Sequence, residues 1–271
     1  KAEAIEIYRR IIDGTRSTPN LLERNDAAWR LKQLKQPLLQ RRAGQFAPGF
    51  EFGVVPPTPS PDGVKRIAFV MGSGNYDELP SLPNARRDAA AIANRLADMG
   101  FDEVEIAEDI DASNLRSLPA YIAGRAREAD VVVVFYAGHG VETGGVNYLV
   151  PVDAKLESDR DVQYEAVALE QVIGAVEGAK KLRLVILDAC RDNPFVSRMK
   201  RMVASRSIGR GLARVEPDGG TLVAYAAKGG EIALDGTGAN SPFVSALVKY
   251  LPTPGLEIGK LFRQVRDDVM T

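Results

Sequence analysis

The sequence predicts an α/β protein with a mostly parallel central sheet and helices on both faces. Three observations carry that expectation. Runs such as Val131-Val-Val-Val-Phe-Tyr136 and Leu182-Arg-Leu-Val-Ile-Leu187 have the near-continuous apolar character of strands buried on both faces. Stretches with apolar residues at helical spacing lie between them, and such alternation implies right-handed crossovers between parallel strands. A hydrophobic content of 45% over 271 residues supplies a core for one large domain plus a small appendage.

Ala2–Ile12 and Leu21–Arg42 show helical spacing, through Ile5, Ile7, Ile11 and Ile12, then Leu21, Leu22, Trp29, Leu31, Leu34 and Leu38. Residues 1–44 therefore read as a helical N-terminal segment. Residues 45–64 carry Pro48, Pro56, Pro57, Pro59 and Pro61 and read as an extended linker. The main domain runs over 65–271. Arg66–Gly72 is its first strand. Asn84–Met99 is a helix, with Asn84 as N-cap after Pro83 and Gly100 just past the end. A short strand over Val104–Ala107, a helix over Ala112–Arg127 and a central strand over Val131–Tyr136 follow. Tyr148–Pro151 is a short extended piece, and Val167–Glu177 is helical. Leu182–Leu187 and Thr221–Ala226 are strands, and helices over Ser241–Leu251 and Leu256–Val269 close the order. No internal repeat is visible.

A net charge of −1 argues against nucleic acid as a partner, because phosphate binding needs a basic face. One cysteine excludes an intrachain disulfide framework, and no Cys/His cluster exists to hold zinc. No cofactor is expected, and no dense acidic loop points to calcium. No apolar stretch approaches the span of a membrane helix, so no membrane partner is expected. The chain begins at Lys1 without Met and reads as processed or trimmed; a cytoplasmic location and export after loss of a signal peptide both stay open. The first strand ends in Gly72-Ser-Gly74, which invites a dinucleotide reading. The fingerprint needs a third glycine where Asp77 stands, so a tight turn is the better account.

The single histidine, His139, and the single cysteine, Cys190, each close an apolar run. A lone Cys is usually a small buried hydrophobe, and a lone His is usually structural. Both together at strand ends, each beside a turn residue, are harder to assign to packing. In open α/β sheets the carboxyl ends of the strands collect the chemistry. A thiolate nucleophile with an imidazole partner is the chemistry these residue types allow.

Seven stretches carry a family resemblance: Ile67-Ala-Phe-Val-Met-Gly72 with Asn75-Tyr76, Leu82-Pro-Asn-Ala-Arg-Arg-Asp88-Ala, Phe135-Tyr-Ala-Gly-His139-Gly140, Tyr148-Leu-Val-Pro-Val-Asp153, Leu187-Asp188-Ala-Cys190-Arg191, Val223-Ala-Tyr225-Ala and Asn240-Ser-Pro-Phe243. From about Lys65 to the C-terminus the chain resembles the caspase-like cysteine peptidases, particularly bacterial members near metacaspases and paracaspases. The resemblance implies a caspase-like fold in which Cys190 attacks the scissile carbonyl and His139 assists its ionisation or protonates the leaving amine. It also implies an oxyanion hole from the backbone N–H groups of Gly140 and Cys190. Gly140 suits that task because no Cβ blocks close approach. No third member is evident, so the expectation is a dyad.

Animal caspases have Gln-Ala-Cys-Arg-Gly at the nucleophile; here Asp188-Ala-Cys190-Arg191-Asp192 stands in its place. Asp188 and Asp88 match the acidic pocket positions of relatives that cleave after Arg or Lys. A third acid could come from Asp235 or Glu231. Two convergent carboxylates suit a guanidinium better than an anion. The bland alternatives are an early-helix acid favoured by the macrodipole for Asp88 and a strand-end hydrogen-bonding residue for Asp188. Asp153 reads as a turn residue. Ser197–Arg214 carries six basic residues and no acid, a solvated loop or a self-cleaved linker. The expected function is a cysteine endopeptidase acting on proteins or peptides with a basic P1 residue, the residue before the cut bond. A catalytically silent interaction module is the alternative, and a doubly wound small-molecule-binding domain a weaker third. Oligomeric state is open.

Overall fold

The computed structural model describes residues 40–43, 51–55, 62–190, 208–209, 220–226 and 238–270; of 40–43, 51, 190, 208 and 209 it describes the main chain only. The chain divides into two compact units, Lys1–Leu39 and Gln40–Thr271. The first unit, and with it the expected N-terminal helices up to Leu39, lies outside the described residues.

The order is β1 (Gln40–Ala43), β2 (Glu51–Val55), β3 (Arg66–Gly72), α1 (Pro83–Asp98), β4 (Glu103–Glu108), α2 (Ala112–Ala126), β5 (Val131–Thr143), β6 (Val146–Leu149), α3 (Val162–Glu165), β7 (Val167–Ala168), α4 (Leu169–Ala175), β8 (Leu182–Cys190), β9 (Ile208–Gly209), β10 (Thr221–Tyr225), α5 (Pro242–Tyr250) and α6 (Ile258–Val269). Strands β4, β3, β5, β8 and β10 lie side by side and parallel. Two antiparallel additions extend the sheet beyond β4: β2 pairs with β4, and β1 with β2. Past His139, β5 continues as one rail of a small antiparallel ladder with β6, β7 and β9. The sheet is therefore mixed around a parallel centre, as the α/β expectation requires.

One face of the centre, through Ile67, Phe69, Met71, Val132, Val134, Tyr136, Val185 and Leu187, packs with Leu115, Leu118 and Ile122 of α2 and Val172 of α4. The alternate residues Ala68, Val70, Val133, Phe135, Leu184 and Ile186 are buried as well. Strand alternation puts them on the opposite face, where α1 packs against β3, β4, β5 and α5. Gly72 permits that packing: a Cβ there would lie 2.6 Å from the Ala85 carbonyl oxygen and from the Ala89 Cβ of α1.

Several element expectations need correcting. Asn84 is not the N-cap of α1. Leu82 is, without a side-chain cap bond. Pro83 takes the first helical position, to which its fixed φ is suited, and moves the start one residue earlier. Gln40–Ala43 is strand where helical spacing was read, and Glu51–Val55, inside the expected extended linker, is strand. The helix read over Val167–Glu177 opens with two strand residues. The central strand runs seven residues beyond Tyr136, to Thr143.

Candidate active site

β3 leaves β5 at the pair Gly72↔Ala137, while β8 follows it two residues further, to His139↔Cys190. Histidine and cysteine are therefore register partners on adjacent parallel strands, about 4.8 Å apart by ordinary strand spacing. They stand at the carboxyl edge of the sheet, where the sequence places them.

The loop after β3 builds the histidine's surroundings. Asp109, held at φ 50°, accepts from the N–H groups of Gly74 and Asn75 at 2.8 and 3.0 Å and pins the start of that loop. The loop then lays the Tyr76 ring against the imidazole, with ring centroids 4.5 Å apart. It also presents the Pro80 carbonyl oxygen 2.8 Å from His139 Nε2. A carbonyl only accepts, so Nε2 carries the proton. Nδ1 is buried and has no hydrogen-bond partner among the described residues. His139 is 3% exposed. That burial holds its imidazolium below the usual histidine range, and the weaker opposing influence is the Pro80 bond. Burial thus favours the neutral ring, and with Nε2 protonated its lone pair lies on Nδ1. The group that orients it is a main-chain carbonyl, which no sequence motif reveals.

Asp88 on α1 and Asp188 near the end of β8 are both buried and meet at one residue, Ser241. The Ser241 hydroxyl donates to Asp188 Oδ2 at 2.6 Å, and the Ser241 N–H donates to Asp88 Oδ1 at 3.0 Å. Asn240 Nδ2 donates to the same Asp88 oxygen at 2.7 Å. Ser241 is also the N-cap of α5, its hydroxyl accepting from the Val244 N–H at 3.1 Å. The two carboxylates thus gather at the positive end of a helix that neither belongs to. An acid serving its own helix would stand in that helix's first turn, so the macrodipole reading of Asp88 does not describe this arrangement. The sequence reading begins a helix at Ser241 and has Asn240 only in a family stretch, with neither as a partner of the carboxylates.

Gly140 pairs with Leu149 of β6. Asp153 lies in a turn and accepts from the Ala112 N–H at 2.8 Å, at the start of α2. Asp235, Glu231 and all of Ser197–Arg214 except Ile208 and Gly209 fall outside the described residues. Among the described residues no group of three or more His, Cys, Asp or Glu is placed to hold a metal ion. No helix among them is long and apolar enough to cross a membrane.

A parallel centre, helices on both faces, and a histidine registered against a cysteine at the carboxyl edge define a caspase-like α/β domain. The caspase domain family model matches residues 65–271, and the chain belongs to that family of cysteine proteases. The sequence is also similar to the human mucosa-associated lymphoid tissue lymphoma translocation protein 1, 24% identical over 135 residues. That match covers 49% of this chain and 16% of the human protein, so the chain spans about a sixth of its relative's length.

Proposed function

We propose that the chain is a cysteine endopeptidase that uses His139 and Cys190 as a dyad and cleaves after Arg or Lys. The observation that carries the reading is the register His139↔Cys190 beside an imidazole whose Nε2–H is already committed to Pro80. A neutral ring so held has Nδ1 available to take the thiol proton as sulfur attacks the scissile carbonyl. Sulfur then bonds to the carbonyl carbon, and the oxyanion is met by the N–H groups of Gly140 and Cys190. The proton on His139 passes to the leaving amine as the C–N bond breaks. Water, deprotonated by the same nitrogen, releases the acyl group and regenerates the thiol.

Asp88 and Asp188 support the basic P1 preference. They are buried carboxylates from separate elements converging on one place, and such a pair offers a desolvated guanidinium or ammonium its counter-charge. The basic run Ser197–Arg214 joins the nucleophile strand to β10 and is the proposed site of self-cleavage. Within it Ile208–Gly209 pairs with Thr143 and Glu142 of β5, tethering the run beside the strand that bears His139.

A panel of fluorogenic peptides varied only at P1 tests the reading. Hydrolysis after Arg and Lys that Cys190→Ala lacks is the expected result, and preference for Asp would refute the pocket. A folded protein that cleaves none of the panel would be the silent interaction module instead. Intact-mass analysis addresses self-cleavage: the wild type should yield fragments parting within Ser197–Arg214 while Cys190→Ala stays whole.

A further inference from the structure

Backbone groups of successive strand residues point alternately to the two neighbouring strands. Ala137 turns its carbonyl toward the β3 side, where the Ser73 N–H meets it at 2.9 Å. His139, two residues on, presents its own main chain to the same side, but β3 has already ended at Gly72. Among the described residues no strand continues β3 there, and only Val150, just past β6, reaches the His139 carbonyl from the main chain. Two phenols take the strand's place. The His139 N–H donates to the Tyr76 hydroxyl at 2.8 Å, and the Tyr136 hydroxyl donates to the His139 carbonyl at 2.8 Å. The same two hydroxyls reach the Val150 carbonyl, at 3.4 Å from Tyr76 and 3.1 Å from Tyr136. The Val150 N–H in turn donates to the His139 carbonyl at 3.1 Å. Gly138 makes room for the pair, since a Cβ there would lie 2.6 Å from the Tyr136 hydroxyl and 2.8 Å from that of Tyr76.

We propose that Tyr76 and Tyr136 are positioning residues that clamp the His139 peptide where the β3 ladder runs out, and so fix the imidazole for reaction with Cys190. The proposal rests on the peptidase reading above. Tyr76 acts twice, because its hydroxyl holds the backbone while its ring, tilted 57° to the imidazole, walls one side of it. Loss of the Tyr76 hydroxyl leaves a buried N–H without its acceptor, and the backbone must shift or admit water to satisfy it. A shift of that kind changes the ring's aim and leaves the substrate pocket, built from Asp88, Asp188 and Ser241, in place.

The test uses the full chain with Tyr76→Phe and Tyr136→Phe, and Tyr121→Phe as control. Tyr121 also loses a hydroxyl bond, partly buried, to Glu105, but on the far side of the sheet from α1 and away from His139. His139 is the only histidine, so the imidazole nitrogen resonances of labelled protein need no assignment. Tyr76→Phe should lower kcat on an Arg-P1 peptide roughly 10- to 100-fold, with KM within about two-fold, and shift those resonances. Tyr121→Phe should leave kcat and resonances unmoved. A folded Tyr76→Phe protein with kcat within about two-fold of wild type overturns the clamp, and so does an equal loss in Tyr121→Phe, which would mark general destabilisation. If the wild type cleaves no peptide, the peptidase reading fails and the spectrum alone decides: shifted resonances in Tyr76→Phe support the clamp and unmoved ones overturn it. Should Tyr76→Phe not fold, Tyr136→Phe decides by the same criteria.

Discussion

His139 titrates with no second imidazole to obscure it, which makes its burial measurable. Burial favours the neutral ring, so the native protein binds this proton less readily than the unfolded chain. The stabilisation tied to the neutral ring is therefore complete above the unfolded value, about pH 6.5, and is lost as pH falls below it. A proton NMR titration of the ring in Cys190→Ala, where no thiol co-titrates, should give a midpoint below that value; a midpoint at or above it would mean a solvated ring. The carboxylates make a separate prediction. Asp88→Ala or Asp188→Ala should cost about 2–5 kcal/mol in kcat/KM for an Arg-P1 peptide, tens- to thousands-fold. The same loss on a peptide with an uncharged P1 would assign the damage to the Ser241 cap instead. His139 and Cys190 stand out in the sequence because each is the single residue of its type and closes an apolar run, whereas Asp88 and Asp188 are reached through the family resemblance. Pro80 and Tyr76 were not legible, because one acts through a main-chain oxygen and the other through a loop whose path depends on Asp109.

At the scale of elements, legibility followed burial. Strands β3, β5 and β8 read directly, since strands packed on both faces need unbroken apolar runs; β10 read from its apolar run although it is partly exposed, with Leu222 open to solvent. The short antiparallel pieces β1, β2, β6, β7 and β9 lack that signal, and β2 is followed at once by Pro56 and Pro57. The glycines flanking His139 read as a strand end, but β6 and the tyrosine hydroxyls carry β5 onward. Although β2 precedes the family match, it is part of the folded sheet. Phe52 is 1% exposed and stacks on Tyr121 at 5.3 Å between centroids. Phe52→Ala should therefore destabilise by about 3–5 kcal/mol in urea unfolding while kcat stays unchanged. A variant as stable as wild type would show that β2 is dispensable.

Across the whole molecule, the pieces flanking the basic run are bound by more than the covalent chain. β10 pairs with β8 along five residues, and α5, held to α6, packs against α1. A cut before Ile208 should therefore leave both fragments in one particle, with β9, β10, α5 and α6 retained. Size-exclusion chromatography of the cut protein should show the two masses co-eluting in buffer and parting only in denaturant; separation in buffer would mean that the linker itself holds the halves together.

The bond between Asp88 and Ser241 spans 153 positions of sequence, and that between Asp188 and Ser241 spans 53. During synthesis the strands bearing His139 and Cys190 leave the ribosome well before Asn240 and Ser241 do. On the proposed reading, a growing chain pairs its dyad strands while the specificity pocket still lacks its last wall, and translation order itself postpones proteolysis until the C-terminal helices arrive. Chains arrested before Asn240 should thus escape labelling by an Arg-bearing electrophile that captures the finished protein at Cys190, whereas equal labelling of both would show that the pocket matures without them.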